Sequence, residues 1–270
     1  MIKLGVNTVL FAGRGLDTAL KHIAWAGYDG VELSAIEGMC EHLELSRWEA
    51  QAAVIKGRLA DCGLEPLSME EAALNEERLK KAFGAAQAIG IPVVNIGPGG
   101  KSGTEDDFER QTDLLARMAD LAAGHGVTLC MKAHVGQVIY NTATTLRAME
   151  KIRSPGFGID MDPSHIHRAG EDPAEALPKV LSRVRHVHIR DCKGKGPGPG
   201  DPRDQACGRG DIDLAGYFRA MVHGGYNGPV CLEVIGAAKY DVTEQAVIAA
   251  ESYGYMNALL KGLGVRGAVA

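Results

Sequence analysis

"VTLCMKAHVG", residues 127–136, has the look of a buried β-strand, yet it closes on Lys132 and, two residues later, His134. An apolar strand rarely needs an ammonium group at its tip, so the question is what that tip faces. Similar runs rich in Val, Ile and Leu recur along the chain, at 4–8, 30–33, 66–69, 93–96, 128–132, 158–162, 185–189 and 229–233. Helical patterns lie between them, at 16–26, 46–62, 76–89, 106–125, 142–152, 173–181, 214–223 and 244–263. In "GLDTALKHIAWAG" (15–27), Leu16, Ala19, Leu20, Ile23 and Ala24 share one helical face, and Gly27 is the stop signal.

Alternating β and α units at roughly 30-residue spacing predict a parallel sheet with outer helices. Eight such units close into a (β/α)8 TIM barrel, whose usual size is about 250 residues. A doubly wound open sheet would want a phosphate-binding glycine turn after its first strand, and "VNTVLFAGRG" (6–15) supplies none. No linker or composition break divides the 270 residues, so residues 1–270 are read as one barrel domain.

The bulk numbers narrow the partners. A net charge of −5 with no basic stripe argues against nucleic acid and membrane surfaces. No apolar run approaches the roughly 20 residues of a membrane helix, and the start "MIKLGVNTVLF" lacks the features of a signal peptide. Six dispersed cysteines form no C-x-x-C pair, which fits reduced thiols and cytoplasmic residence.

In a TIM barrel the C-terminal strand ends share one mouth, where chemistry sits. Those ends read Asn7 and Thr8, Glu32, Ser68, Asn95, Lys132 with His134, Asp162 with His165, His188 with Asp191, and Glu233. A single strand-end His or Asp is commonly a cap or loop hydrogen-bonder. Together, Asp162, His188 and Glu233 offer two carboxylates and an imidazole, a set suited to Mn²⁺, Mg²⁺, Co²⁺ or Zn²⁺. "NIGPGGKSGT" (95–104) fits neither nucleotide-loop spacing. "KGKGPGPGDPRDQACGRGDID" (193–213) is either a lid over the mouth or a solvated insertion.

These residues resemble the xylose-isomerase-like TIM barrels, which include sugar-phosphate isomerases and epimerases, ketose 3-epimerases, inosose dehydratases and endonuclease IV. The resemblance rests on "GYDGVELS" (27–34), "GFGIDMDPSHIHRAGEDP" (156–173), "VRHVHIRD" (184–191) and "GRGDIDLAGYFRAMVHGGYNGPVCLEV" (208–234). It implies Asp162, His188 and Glu233 as metal ligands, Glu233 also as a proton-transfer carboxylate, and His165 as a contact to metal or substrate oxygens. Dimers or tetramers are common in that family, so a homo-oligomer is an open expectation. Endonuclease activity is disfavoured by the acidic chain.

The resemblance also locates the departure. The family's fifth strand ends in a segment of the type x-E-x-H with a ligating glutamate, and here the segment is "MKAH" (131–134). Lys132 stands in the glutamate's place. Three readings follow. A metal stays on the remaining ligands, and Lys132, its pKa pushed down by the cation and by burial, works in isomerisation, epimerisation or dehydration of a keto-sugar through an enediolate. Alternatively Lys132 is a Schiff-base nucleophile of an aldolase-like lyase, or the barrel is a non-catalytic carbohydrate-binding or partner subunit. Under the first reading Glu233 or Lys132 moves the proton, and His134, His165, Arg209, Glu32 and Asn95 line the substrate pocket.

Overall fold

The apolar runs do pair side by side. A computed structural model describes residues 1–267. Its barrel strands are β1 (Lys3–Asn7), β2 (Gly30–Ile36), β3 (Glu65–Ala72), β4 (Val93–Ile96), β5 (Thr128–Lys132), β6 (Phe157–Asp160), β7 (Val184–Ile189) and β8 (Pro229–Leu232). All neighbours are parallel, and β1 pairs with both β2 and β8, which closes the barrel. A two-residue strand, Cys40–Glu41, adds an antiparallel pair to the end of β2.

The outer helices are α1 (Leu16–Ala26), α2 (Trp48–Asp61), α3 (Glu76–Ile89), α4 (Glu105–Gly124), α5 (Thr142–Lys151), α6 (Pro163–Arg168), α7 (Pro173–Val180), α8 (Leu214–His223) and α9 (Val242–Gly262). Gly27 ends α1 at φ 97°, a left-handed turn that glycine adopts without a Cβ clash. Leu, Ile, Val and Phe of the strands and inner helix faces form one core cluster from Ile2 to Leu260. Burying each such side chain contributes about 1.5–3 kcal/mol before conformational entropy is counted.

Register then gathers polar residues into a ring inside the barrel. Asn7 pairs across from Glu32, Glu32 from Ser68, Glu70 from Asn95, Lys132 from Asp160, and Asp160 from His186.

Several strand ends shift by one to three residues from the expected ones, and two of the shifts matter for the site. β6 stops at Asp160, and Asp162 is the N-cap of the unforeseen α6; its Oδ1 accepts from Ser164 N at 2.8 Å, with Pro163 at the first helical position. β3 runs past Met69 to Ala72, with a register irregularity against β4 between Glu70 and Ala72. Ala72 has φ 72°, the one positive φ on a non-glycine among the described residues. This bulge at the rim sets the position of Glu70. Left-handed backbone on an L-residue costs roughly 1 kcal/mol, so Ala72→Gly is expected to raise stability by about 0.5–1 kcal/mol. Unchanged or lower stability in urea titration would show that the bend carries no strain.

Candidate active site

Lys132 enters the mouth from the tip of β5 and is almost completely buried. Its Nζ donates to Glu233 Oε1 at 2.8 Å and to Glu70 Oε1 at 3.1 Å. Burial opposes the ammonium charge, but Glu233 and Glu70 outweigh it and hold the pKa above its ordinary value. The sequence reading had this pKa lowered; the structure reverses that, because two carboxylates from other strands were not in the local sequence.

Glu70 and Glu233 flank the lysine unequally. Burial and the charge of Glu233 push Glu70 up to about 8 against the pull of Lys132. Asn7 Nδ2 donates to its Oε2 at 2.6 Å. For Glu233, burial disfavours the charge, but Arg190 and Lys132 hold it well below the usual carboxylate range. Its Oε2 lies 2.8 Å from Arg190 Nη1 yet out of hydrogen-bond alignment.

Arg190, two residues beyond His188 and so on the same face of the chain, also binds Asp162 Oδ2 at 2.9 Å. Asp162 Oδ1 is taken by Ser164 N and Ser164 Oγ, the latter at 2.7 Å.

His188 lies one layer deeper. Its Nδ1 is 2.6 Å from Asp160 Oδ2, and its Nε2 bonds Glu32 Oε2. Burial opposes a positive charge on the ring, but Asp160 and Glu32 raise its pKa well above the ordinary value. Lys132 Nζ also lies 3.2 Å from His188 Nδ1. Asp160 Oδ1 also takes His186 Nδ1 at 2.9 Å, and His186 Nε2 meets Ser68 Oγ at 2.9 Å. Asn95 donates to Glu32 at 2.5 Å. This lower layer is fully buried and fixes the rotamers of the layer above.

The mouth opens into a cavity of about 250 Å³. Glu70, Lys132, His134, His165, Arg190 and Glu233 bring the chemistry to its wall, with Arg168 at one side. His134 and His165 lie against each other at a tilt, with centroids 4.2 Å apart. Burial and the nearby cations, Arg190 for His165 and Lys132 for His134, lower both pKa values and keep the rings neutral. The 193–213 loop supplies Pro197 and Pro199 to the wall. It is tied down where Asp191 accepts from Cys192, Gly208 and Ile212 N, and where Gly210 passes so close that a Cβ would sit 2.3 Å from Asp191 Oδ1.

The expected residues therefore divide. Lys132, His134, His165 and Glu233 line the cavity, and Asp162 touches it through Arg190. Glu32, Asn95 and His188 lie beneath it. Arg209 is elsewhere: its Nε pairs with Glu251 Oε1 of α9 at 2.7 Å, beside a separate surface depression. Sequence reading missed Glu70, Arg190 and Asp160. Period-2 reading from His188 was enough to find Arg190; Glu70 needed the β3 bulge.

Asp162 and Glu233, expected as metal ligands, are engaged by Arg190 and Lys132, and His188 sits between Asp160 and Glu32. Metal-type groupings do occur deeper in the barrel, with ligand atoms within 4.8 Å of one another: Glu32, Glu70 and His188; Asp160, His186 and His188; and Glu32, His186 and Cys231.

A closed parallel barrel with ionisable groups crowded at its C-terminal mouth defines a class of enzymes with the active site on the strand ends. The chain belongs to the xylose isomerase-like TIM barrel family, whose model matches residues 20–259. Among curated relatives, it is 33% identical over 90 residues to an inosose dehydratase of Geobacillus thermodenitrificans, covering 33% of this chain and only 30% of that protein's length. An inosose dehydratase of Clostridium perfringens is 23% identical over 268 residues, covering 86% of this chain and 89% of the relative. Two solved structures share the fold. D-allulose 3-epimerase from Methylomonas sp. has TM-score 0.77 at 16% identity, over 96% of this chain and 98% of that one. The IolI protein with a bound zinc atom has TM-score 0.77 at 18% identity, over 96% and 98%. Inosose dehydratases are thus among its sequence relatives, and an epimerase is among the structures that share its fold. Among the described residues, no helix is long and apolar enough to cross a membrane.

Proposed function

We propose that this barrel moves a proton next to the carbonyl of a hydroxylated ketone, a keto-sugar or related polyol, with protein cations in place of a divalent ion. The observation that carries the reading is the Glu70–Lys132–Glu233 row facing the cavity. The family's strand-5 glutamate is gone, but a glutamate stands on β3 instead, so two carboxyl groups still serve the site.

Environments that push two carboxyls apart in pKa assign the acid and the base. Glu233 is ionised and faces the cavity; it takes the proton from the carbon beside the carbonyl. The ammonium of Lys132, also at the cavity wall, donates to the carbonyl oxygen and stabilises the negative charge that develops there. Glu70, protonated at neutral pH, returns a proton. If that proton reaches carbon, the result is isomerisation or epimerisation. If it reaches a β-hydroxyl, water leaves and the result is dehydration. The second outcome is a distinct reading, favoured by the inosose dehydratase relatives. A Schiff base at Lys132 is disfavoured, because a lysine held protonated beside the Glu233 carboxylate is a poor nucleophile.

The test is solvent deuterium incorporation into ketoses and inososes, followed by NMR. Label beside the carbonyl, absent with Glu233→Gln, supports the proposal; no exchange with any ketone sinks it, and the product spectrum separates the two outcomes. The acid role also sets a pH limb. Turnover is expected to fall as pH rises through about 8, where Glu70 loses its proton. A flat profile to pH 10 on the same substrate rules Glu70 out as the acid.

A further inference from the structure

Three cations at the mouth are matched by carboxylates: Lys132 by Glu70 and Glu233, Arg190 by Asp162 and Glu233, and His188 by Asp160 and Glu32. A fourth is not. Arg168, at the end of α6, is only 8% exposed, and its partners are all neutral. Nε donates to Ser164 O at 3.2 Å, Nη1 to Pro197 O at 2.7 Å, and Nη2 approaches His165 Nδ1 at 3.0 Å. Among the described residues no carboxylate oxygen lies within 4.0 Å of it. A buried guanidinium without a counter-charge is costly unless something anionic completes it. Arg168 lines the cavity on the same side as Pro197 and Pro199 of the overlying loop, and Nη1 and Nη2 each keep a second N–H.

We infer that the substrate carries an anionic oxygen group, a carboxylate or a phosphate monoester, which Arg168 binds beneath the 193–213 loop while the ketone end faces Lys132. The inference rests on this cavity being the reacting site. The fork of Arg168 suits such a group, and its bond to the Pro197 carbonyl places the loop over the bound anion. The paired cations are less available for this, since their charge is already spent on fixed carboxylates.

The experiment compares binding of D-fructose, D-fructose 6-phosphate and 5-keto-D-gluconate, which are neutral, phosphorylated and carboxylated ketones of one size class, by calorimetry at fixed ionic strength. Wild type is expected to bind at least one charged ligand roughly tenfold or more tightly than fructose, and which one identifies the group. Arg168→Gln removes that preference without weakening fructose, and Arg168→Lys restores part of it. Equal affinities across the series, no binding of either anion, or an equal loss for all three ligands in Arg168→Gln overturns the inference. Should Arg168→Gln not fold, the wild-type series alone decides. Binding is read without turnover: charge preference with no deuterium exchange would retain Arg168 as the anion site and reject the proton-transfer reading.

Discussion

Lys132→Met is expected to lower kcat/KM by about 10²–10³, the range for removing one donor to a developing oxyanion. Methionine nearly conserves the side-chain length, so the cavity keeps its shape while the ammonium charge is lost. The loss should fall mainly on kcat, because the contact strengthens only as the carbonyl oxygen gains charge. The same variant has a diagnostic stability profile. Without the ammonium, Glu70 and Glu233 face each other with Arg190 as the nearest cation. Breaking a buried ion pair typically costs about 3–5 kcal/mol. In the variant Glu70, which loses the pull of Lys132, keeps a folded pKa above its unfolded one, so the folded state binds more protons. Stability is therefore lost as pH rises from about 4 through the folded pKa, and regained on acidification. A Lys132→Met protein whose urea midpoint is the same at pH 5.5 and pH 8.5, or whose turnover matches wild type, would remove Lys132 from the account.

Lys132→Glu is expected to do the opposite of an ordinary disruptive change when a divalent ion is supplied. It places a third glutamate beside Glu70 and Glu233, with Asp162 and His188 close by. Four carboxyl groups then share one ammonium fewer, and a divalent cation supplies the missing charge. His188 gives up a proton to expose a lone pair. With Mn²⁺ or Zn²⁺ at a hundred times Kd, linkage gives about 2.7 kcal/mol of stabilisation, or roughly 5–10 °C in Tm for a chain of this size. Wild type is expected to show no such shift, because its Lys132 already occupies the centre of the carboxylates. Equal metal-induced shifts in both proteins would mean that Lys132 does not keep a metal out.

What could be read in the sequence was what repeats locally. The spacing of apolar runs found all eight barrel strands, and α1, α3 and α8 span the ranges their periodicity marked. Lys132, His134, His165 and Glu233 reach the cavity because strand ends in a closed barrel must. What was not legible depends on partners distant in the chain. The charge state of Lys132 is set by Glu70 and Glu233, which are 62 and 101 residues away. Read alone, the lysine faces only burial, and burial lowers its pKa; the sign changes once two carboxylates arrive. Glu70 was hidden by a bulge that extends β3 to Ala72, and Asp162 proved to be a helix cap rather than a strand end. Arg209 pointed into the loop chemistry by sequence position, yet its guanidinium found Glu251 on α9.

The central claim is that Lys132 and Arg190 stand where the family resemblance placed a divalent ion. The measurement that tests it most directly is metal content by plasma mass spectrometry, on untagged protein equilibrated with Mn²⁺, Mg²⁺, Co²⁺ and Zn²⁺ and then desalted, beside Glu233→Gln. Far less than one ion per chain is expected in wild type, whatever metal is offered. Close to one ion per chain, lost in Glu233→Gln, would contradict the claim and return the site to metal-dependent chemistry.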